Sequence, residues 1–344
     1  MAACWGFTIA FIVLSACGPS ALEVAATIVA ATASAAGTAT ATFPTSTPTV
    51  ILEPTHTPSA TPVPTATPTP LGGGGPIAFA SNRFGHFDIY TINSNGEEIV
   101  RLTTDLLEDT DPAWSPDGMW IAYTSGGKTR SFDLYVVSPG GGSGHLLVKG
   151  NGYGPVWSPD GAMIVRVQFR CHDAICRQNS YELAAVNADG TGLRFLTSNP
   201  DGTYYNFPDW SPDGSLIAFT RSGGGDIFLM APDGTGSTNL TKMPGASNYE
   251  PNWSPDGGRI AFTSDRDGND EIYVMDLTGS GVQRLTNHLG ADRHPTWSPD
   301  GRLIAFSSNR GGSFDIYVLE LEAGKLIQLT SDPADEIDPD WSNR

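Results

Sequence analysis

Apolar and polar positions along the chain repeat in one unit with a period of about 44 residues. Trp-Ser-Pro-Asp-Gly occurs at Trp114, Trp157, Trp210, Trp253 and Trp297, and a shortened copy, Trp341-Ser342, closes the sequence. Successive tryptophans are 43, 53, 43, 44 and 44 residues apart. An apolar run follows each Pro-Asp-Gly: Ile121-Ala122-Tyr123, Ile164-Val165, Ile217-Ala218-Phe219, Ile260-Ala261-Phe262 and Ile304-Ala305-Phe306. Ile77-Ala78-Phe79 is a sixth run with no Trp before it. An acid then introduces another apolar stretch, at Asp88, Asp133, Glu182, Asp226, Glu271 and Asp315, and a Leu-centred segment ends the unit near Leu102, Leu147, Leu196, Leu240, Leu285 and Leu329. Short apolar runs separated by turn residues predict four strands per unit. Six such units predict an all-β, six-bladed propeller over residues 76–344.

The register of the two ends adds a prediction. The repeat begins at the second strand of one unit and stops just after the first strand of another. One C-terminal strand joined to three N-terminal strands would complete the sixth blade, a 1+3 velcro closure that removes free sheet edges. Within each unit, Pro presets φ, Asp bonds nearby backbone and Gly accepts positive φ, so Asp117, Asp160, Asp213, Asp256 and Asp300 read as turn formers. The tryptophans are expected between neighbouring blades. A base precedes each third-strand acid by five residues, as Arg83–Asp88, Lys128–Asp133, Arg177–Glu182, Arg221–Asp226, Arg266–Glu271 and Arg310–Asp315. These six pairs are expected as surface salt bridges across a hairpin, each contributing about 0–1 kcal/mol. Asp265 to Asp270 superficially follows a calcium loop, but its Gly stands fourth rather than sixth and no Glu occupies position twelve. It reads as a hairpin turn.

Ahead of the repeat the composition changes. Residues 1–75 hold no Lys or Arg and two acids, Glu23 and Glu53. The apolar run Trp5 to Ala16 is too short to span a bilayer, which needs roughly 20 residues, and fits the core of an export signal over 1–16. No Lys or Arg precedes Trp5, so either the true start lies elsewhere or the α-amino group alone supplies the positive charge. Leu14-Ser15-Ala16-Cys17 resembles the lipobox of bacterial lipoproteins. That resemblance implies cleavage before Cys17 and lipid on its thiol and new amino end. Residues 17–75, Ala/Thr-rich and then Thr-Pro-rich, cannot bury a core and are expected to be a disordered stalk. Fully extended, such a stalk would reach about 180 Å.

The motifs from Trp114 onward resemble the PD40, or WD40-like, repeats of TolB-type propellers, a periplasmic family, across 76–344. The resemblance implies a docking platform for an envelope protein. This sequence lacks that family's extra N-terminal α/β domain and carries the stalk instead. Among its 344 residues, 37 Asp+Glu face 19 Lys+Arg, a net charge of -18. Such acidity argues against nucleic acid, which requires clustered bases, and against docking on anionic lipid. Any membrane contact is expected through lipidated Cys17 alone.

Features that interrupt the repeat are the better functional candidates. The unit between Trp157 and Trp210 is about ten residues longer and contains Cys171 and Cys176. Cys4 would leave with the signal and Cys17 would carry lipid. The remaining two, outside the cytoplasm, most simply pair. Zinc bound through Cys171, His172 and Cys176 would lack a fourth ligand. The segment before each Trp enters the innermost strand and should line one channel mouth. The residues before its Pro are Asp111, Gly154, Phe207, Glu250, His294 and Asp338, with Tyr153, Tyr205, Tyr249 and Arg293 one or two positions earlier. Convergent carboxylates, one His and rim aromatics suit a cation, or a cationic or peptide group. The metal version of this reading rests on Asp111, Glu250 and Asp338 with Ca²⁺ or another divalent cation. The alternative is a solvated acidic funnel.

No Gly-x-Ser-x-Gly, His-Glu-x-x-His, Walker loop or dinucleotide fingerprint is present. Some peptidases place a similar propeller before an α/β-hydrolase domain, whereas this sequence stops with the repeat, so no catalytic domain is expected. The leading expectation is an extracytoplasmic, lipid-anchored, monomeric propeller that binds a protein or cell-envelope partner without catalysis and with no resident cofactor. The alternative is a metal-dependent hydrolase of lactonase or esterase type working at the acidic mouth.

Overall fold

In a computed structural model, the described residues are 74–127, 132–173, 176, 179–198, 203–223 and 225–343. The export signal, Cys17, the stalk up to residue 73, Lys128 and Arg177 lie outside them.

The described residues form six four-stranded antiparallel sheets. We number the blades by their innermost strands: Glu108–Trp114, Gly152–Trp157, Tyr205–Trp210, Asn248–Trp253, Asp292–Trp297 and Glu336–Trp341. The second strands are Ile121–Gly126, Met163–Cys171, Ile217–Arg221, Arg259–Ser264, Leu303–Ser308 and, for blade 6, Ile77–Ser81. Blade 6 pairs Ile77 with Trp341 and Ser81 with Glu336, so C-terminal and N-terminal strands share one sheet, as the register of the repeat predicts.

Turn chemistry follows the Trp-Ser-Pro-Asp-Gly motif closely. Asp117 Oδ1 accepts from Ser115 Oγ at 2.6 Å and from Met119 N at 2.9 Å, while Ser115 Oγ accepts from Trp120 N at 2.9 Å. The same bonds recur around Asp160, Asp213, Asp256 and Asp300. The tryptophans fill the seams between blades: Trp114 packs with Ile89 and Leu102 of blade 6 and with Ile121 and Tyr123 of its own blade. Burial of such side chains is the dominant stabilising term. Asp265 to Gly268 is a hairpin turn, closed by Gly268 N donating to Asp265 O at 2.9 Å.

The base–acid pairs are arranged differently from the expected surface bridges. Asp88, Glu182, Glu271 and Asp315 are buried, and they face the outer strand. Asp88 meets Arg101 at 2.7 Å, Glu271 meets Arg284 at 2.7 Å and Asp226 accepts from Thr241 at 2.7 Å. The bases fold back the other way. Arg83, Arg266 and Arg310 reach Glu336, Asn248 and Asp292 on the innermost strand. Each guanidinium crosses an aromatic ring of the third strand on the way: Tyr90 at 4.6 Å, Tyr273 at 4.6 Å and Tyr317 at 4.7 Å. Arg221 likewise lies over Phe228. The hairpin carries the base beyond the sheet edge, so its long side chain reaches across the blade rather than along the turn.

Candidate functional site

Every innermost strand carries Pro two residues before its Trp: Pro112, Pro155, Pro208, Pro251, Pro295 and Pro339. Proline has no N–H for the ladder. Pairing with the second strand slips there in each blade, for example between Thr110 and Ala113 and between Arg293 and Thr296. At each of these bulges the residue before Pro takes a left-handed backbone. Its φ is 51° at Asp111, 59° at Gly154, 51° at Phe207, 56° at Glu250, 54° at His294 and 54° at Asp338. Five of the six bear side chains, and each such residue costs on the order of 1–3 kcal/mol that the surrounding fold must offset. The bulge turns all six positions toward the channel axis.

These six residues and their prolines line a cavity of about 140 Å³ at one mouth. Below it stands a second ring, the residues just before each Trp: Ala113, Val156, Asp209, Asn252, Thr296 and Asp340. This ring also borders a cavity of about 380 Å³ lined by the six tryptophans. The second ring thus lines both cavities.

Hydrogen bonds from the two rings tie neighbouring blades together at five of the six junctions. In the upper ring, Asp338 accepts the backbone N–H of Asp111, Asp111 Oδ2 accepts that of Gly154 at 3.3 Å, and Glu250 Oε2 accepts that of His294 at 2.8 Å. In the lower ring, Asp340 Oδ2 accepts from Trp114 N at 2.7 Å and Asp209 Oδ2 from Trp253 N at 2.7 Å. Asn252 and Thr296 do the same for Trp297 and Trp341. Nothing in the sequence reading singled out this lower ring. Its signal was available as Asp, Asn, Thr and Asp at one repeat position.

His294 is the electrostatic centre of the mouth. Its Nε2 lies 2.9 Å from Glu250 Oε1 and 3.1 Å from Asp338 Oδ1. Burial opposes its charge, but the two carboxylates prevail and raise its pKa to about 9. Glu250 is held below its ordinary value: burial pushes it up, and His294 together with a 2.7 Å bond from Thr263 Oγ1 outweighs that. Burial lifts Asp338 to about 6 in spite of His294. In the lower ring, burial raises Asp209 to about 8 and Asp340 to about 7, against the N–H donors that favour their charged forms.

Asp111, Phe207, Glu250, His294 and Asp338 thus meet at the mouth as expected from their positions. Tyr153, Tyr205, Tyr249 and Arg293 do not line it. Strand alternation turns Tyr153, Tyr249 and Arg293, each one position before the bulge residue, away from the axis; Tyr205 stands two positions before Phe207. Tyr153 Oη donates to Asn206 at 2.6 Å, Tyr205 packs on Phe219, and Tyr249 and Arg293 share Asp270, the latter at 2.5 Å. Glu250 and Asp338 are directed at the His294 imidazole, and among the described residues no group of three or more His, Cys, Asp or Glu side chains is placed to hold a metal ion. Away from the channel, Cys171 and Cys176 form a disulfide, and His172 Nε2 lies 2.6 Å from Ser180 Oγ.

The repeat signature of this fold matches PD40, the TolB β-propeller domain, over residues 43–247 and 173–344. The chain belongs to the TolB β-propeller family. The Tol-Pal system protein TolB of Desulfosudis oleivorans is 33% identical over 122 residues, which are 35% of this chain and 26% of that protein. An uncharacterized peptidase, YuxL, of Bacillus subtilis is 34% identical over 119 residues, 30% of this chain and 18% of the relative. Among solved structures, the putative TolB from Agrobacterium tumefaciens superposes with a TM-score of 0.62 at 23% identity, covering 78% of this chain and 94% of that one. At that identity the likeness establishes the shared propeller. The matched stretches span about a quarter or less of the curated relatives' length, so the TolB likeness describes the propeller rather than whole proteins.

Proposed function

We propose that this TolB-family propeller is a non-catalytic binding module, held outside the cytoplasm by a lipid on Cys17 and the Thr/Pro-rich stalk, that docks a protein or cell-envelope partner over its channel mouth. The observation that carries this reading is the ring of left-handed bulges. It commits strained backbone in five of the six blades to presenting Asp111, Phe207, Glu250, His294 and Asp338 at one opening. Three carboxylates against one imidazolium leave the mouth acidic, which suits a basic or amino group on the partner, with Phe207 giving an apolar contact. The ring constellation is fixed before binding, so little ordering cost is added on association.

The test compares cross-linked capture by full-length wild type and by the Asp111→Ala/Glu250→Ala double variant in the native envelope. Selective loss of one partner with the double variant supports the reading. Equal capture by both, or ester or peptide turnover by wild type that the double variant lacks, overturns it in favour of an enzyme. For the anchor, Cys17→Ala should move the protein from the membrane pellet to the soluble fraction.

A further inference from the structure

The six blade junctions serve as internal controls for one another. On the face that carries the Pro-Asp-Gly turns, the junction between blades 4 and 5 has a cavity whose charged lining is Arg259, Arg302, Asp300, Glu320 and Glu322. Arg259, the residue just before Ile260, lays its guanidinium 4.7 Å over the ring of Trp297 on the next blade. At the junction between blades 2 and 3 a different base does comparable work. Arg194 on the outer strand donates to Pro232 O at 3.4 Å and lowers the pKa of Asp233, whose first cause is its bond from Thr235. Arg259 thus lines one cavity with Glu322, and Arg194 acts on Asp233, each the acid of the next blade's outer hairpin.

The junction between blades 1 and 2 has the same acids without the cation. Its cavity, about 530 Å³, is lined by Asp117, Asp160, Asp189, Trp120, Trp157 and His145, among others. Asp160 and Asp189 hold the repeat positions of Asp300 and Glu322, and Trp157 that of Trp297. At the position of Arg259 stands Trp120, 44% exposed. At the position of Arg194, paired with Val136 as Arg194 is with Ala185, stands His145. No Lys or Arg is among the described residues that line the cavity. Next to Asp189 the chain packs closely on the lining residue Leu147: at Gly190, φ +82°, a Cβ would lie 2.4 Å from Leu147 O.

We propose that this cavity binds a guanidinium or ammonium group supplied from outside the chain, between the Trp120 indole and the carboxylates of Asp160 and Asp189. An aromatic face and unneutralised carboxylates attract a cation together. The molecule itself carries an arginine at a corresponding repeat position in two other junctions. The shared ligand chemistry is an arginine-like head, carried either by a small molecule or by a peptide.

The test is calorimetric titration of the full-length protein at pH 8 with methylguanidinium, with the peptide Gly-Arg-Gly, and with its neutral isostere Gly-citrulline-Gly. Binding of a cationic probe with one site per chain is expected, and the citrulline peptide should bind roughly fivefold or more weakly. Equal affinity for methylguanidinium and Gly-Arg-Gly would indicate a small-molecule ligand; preference for the peptide would indicate a protein segment. Trp120→Arg should abolish binding, because the introduced side chain occupies the space as Arg259 does, and Asp189→Asn should weaken it. Absence of binding, equal binding of the citrulline peptide, or binding unchanged in a folded Trp120→Arg protein would overturn the proposal.

Discussion

His294 on blade 5 places Nε2 2.9 Å from Oε1 of Glu250 on blade 4, and the backbone N–H of the same histidine donates to the other oxygen of that carboxylate at 2.8 Å. The pair, joined by Asp338, raises the imidazole to about 9 from an ordinary 6.5. A raised base stabilises the fold fully below its unfolded pKa and loses that contribution as pH climbs through the folded value. His294→Gln should therefore lower stability at pH 6 by on the order of 2 kcal/mol, with the difference from wild type vanishing above about pH 9. Thermal melts from pH 6 to 10 measure this; a constant difference across the range would contradict it.

The lower ring carries a second pH effect. Asp209 and Asp340 have folded pKa values of about 8 and about 7, raised by burial from 3.8. A carboxyl raised on folding favours the native state in acid and withdraws that support as pH rises through the folded value. Asn252 already performs the same bond to Trp297 N at 3.0 Å with a neutral amide. Asp209→Asn and Asp340→Asn should each stabilise the protein at pH 8 by on the order of 1–3 kcal/mol and leave it nearly unchanged at pH 4. Urea denaturation at the two pH values tests the sign. Destabilisation at pH 8 would show that the negative charge itself is needed there.

Arg83 pairs with Glu336, which lies 253 residues away in sequence, rather than with Asp88. A double-mutant cycle of Arg83→Met with Glu336→Gln should show a coupling on the order of 1–3 kcal/mol, whereas Arg83→Met with Asp88→Asn should be close to additive. Glu336 is buried, so removing the arginine alone should cost more than a surface pair would.

Ring closure rests on the last innermost strand. Ser342 N donates to Pro76 O at 2.9 Å, Trp341 Nε1 to Gly75 O at 2.9 Å, and Trp341 packs in one core with Ile77, Phe79 and Leu303. Truncation after residue 334 removes this strand and exposes both the edge of Ile77–Ser81 and the seam against blade 5. The melting temperature should fall by 10 °C or more, or the chain should aggregate, as scanning calorimetry and size exclusion would report; the threshold is about two lost core contacts' worth of stability. A truncated chain with an unchanged melt would refute closure by this strand.

The repeated residues made the fold legible in advance. Trp-Ser-Pro-Asp-Gly, the apolar run after it and the phase of the two termini determine six blades and a shared sixth sheet, because turn chemistry and strand periodicity are local properties. The residue before each Pro could be placed at the mouth from the same periodicity. Tyr153, Tyr249 and Arg293 could not be assigned, since whether a neighbouring residue faces the channel or the seam depends on the bulge that proline imposes. The Arg83, Arg266 and Arg310 partners were likewise hidden: sequence spacing measures distance along a hairpin, while a guanidinium spans the blade. The tertiary structure alone decided that Glu250 and Asp338 close on His294, and that Asp209 and Asp340 hold the tryptophans of the next blade. Those contacts join different blades, and only closure of the ring brings them within hydrogen-bonding distance.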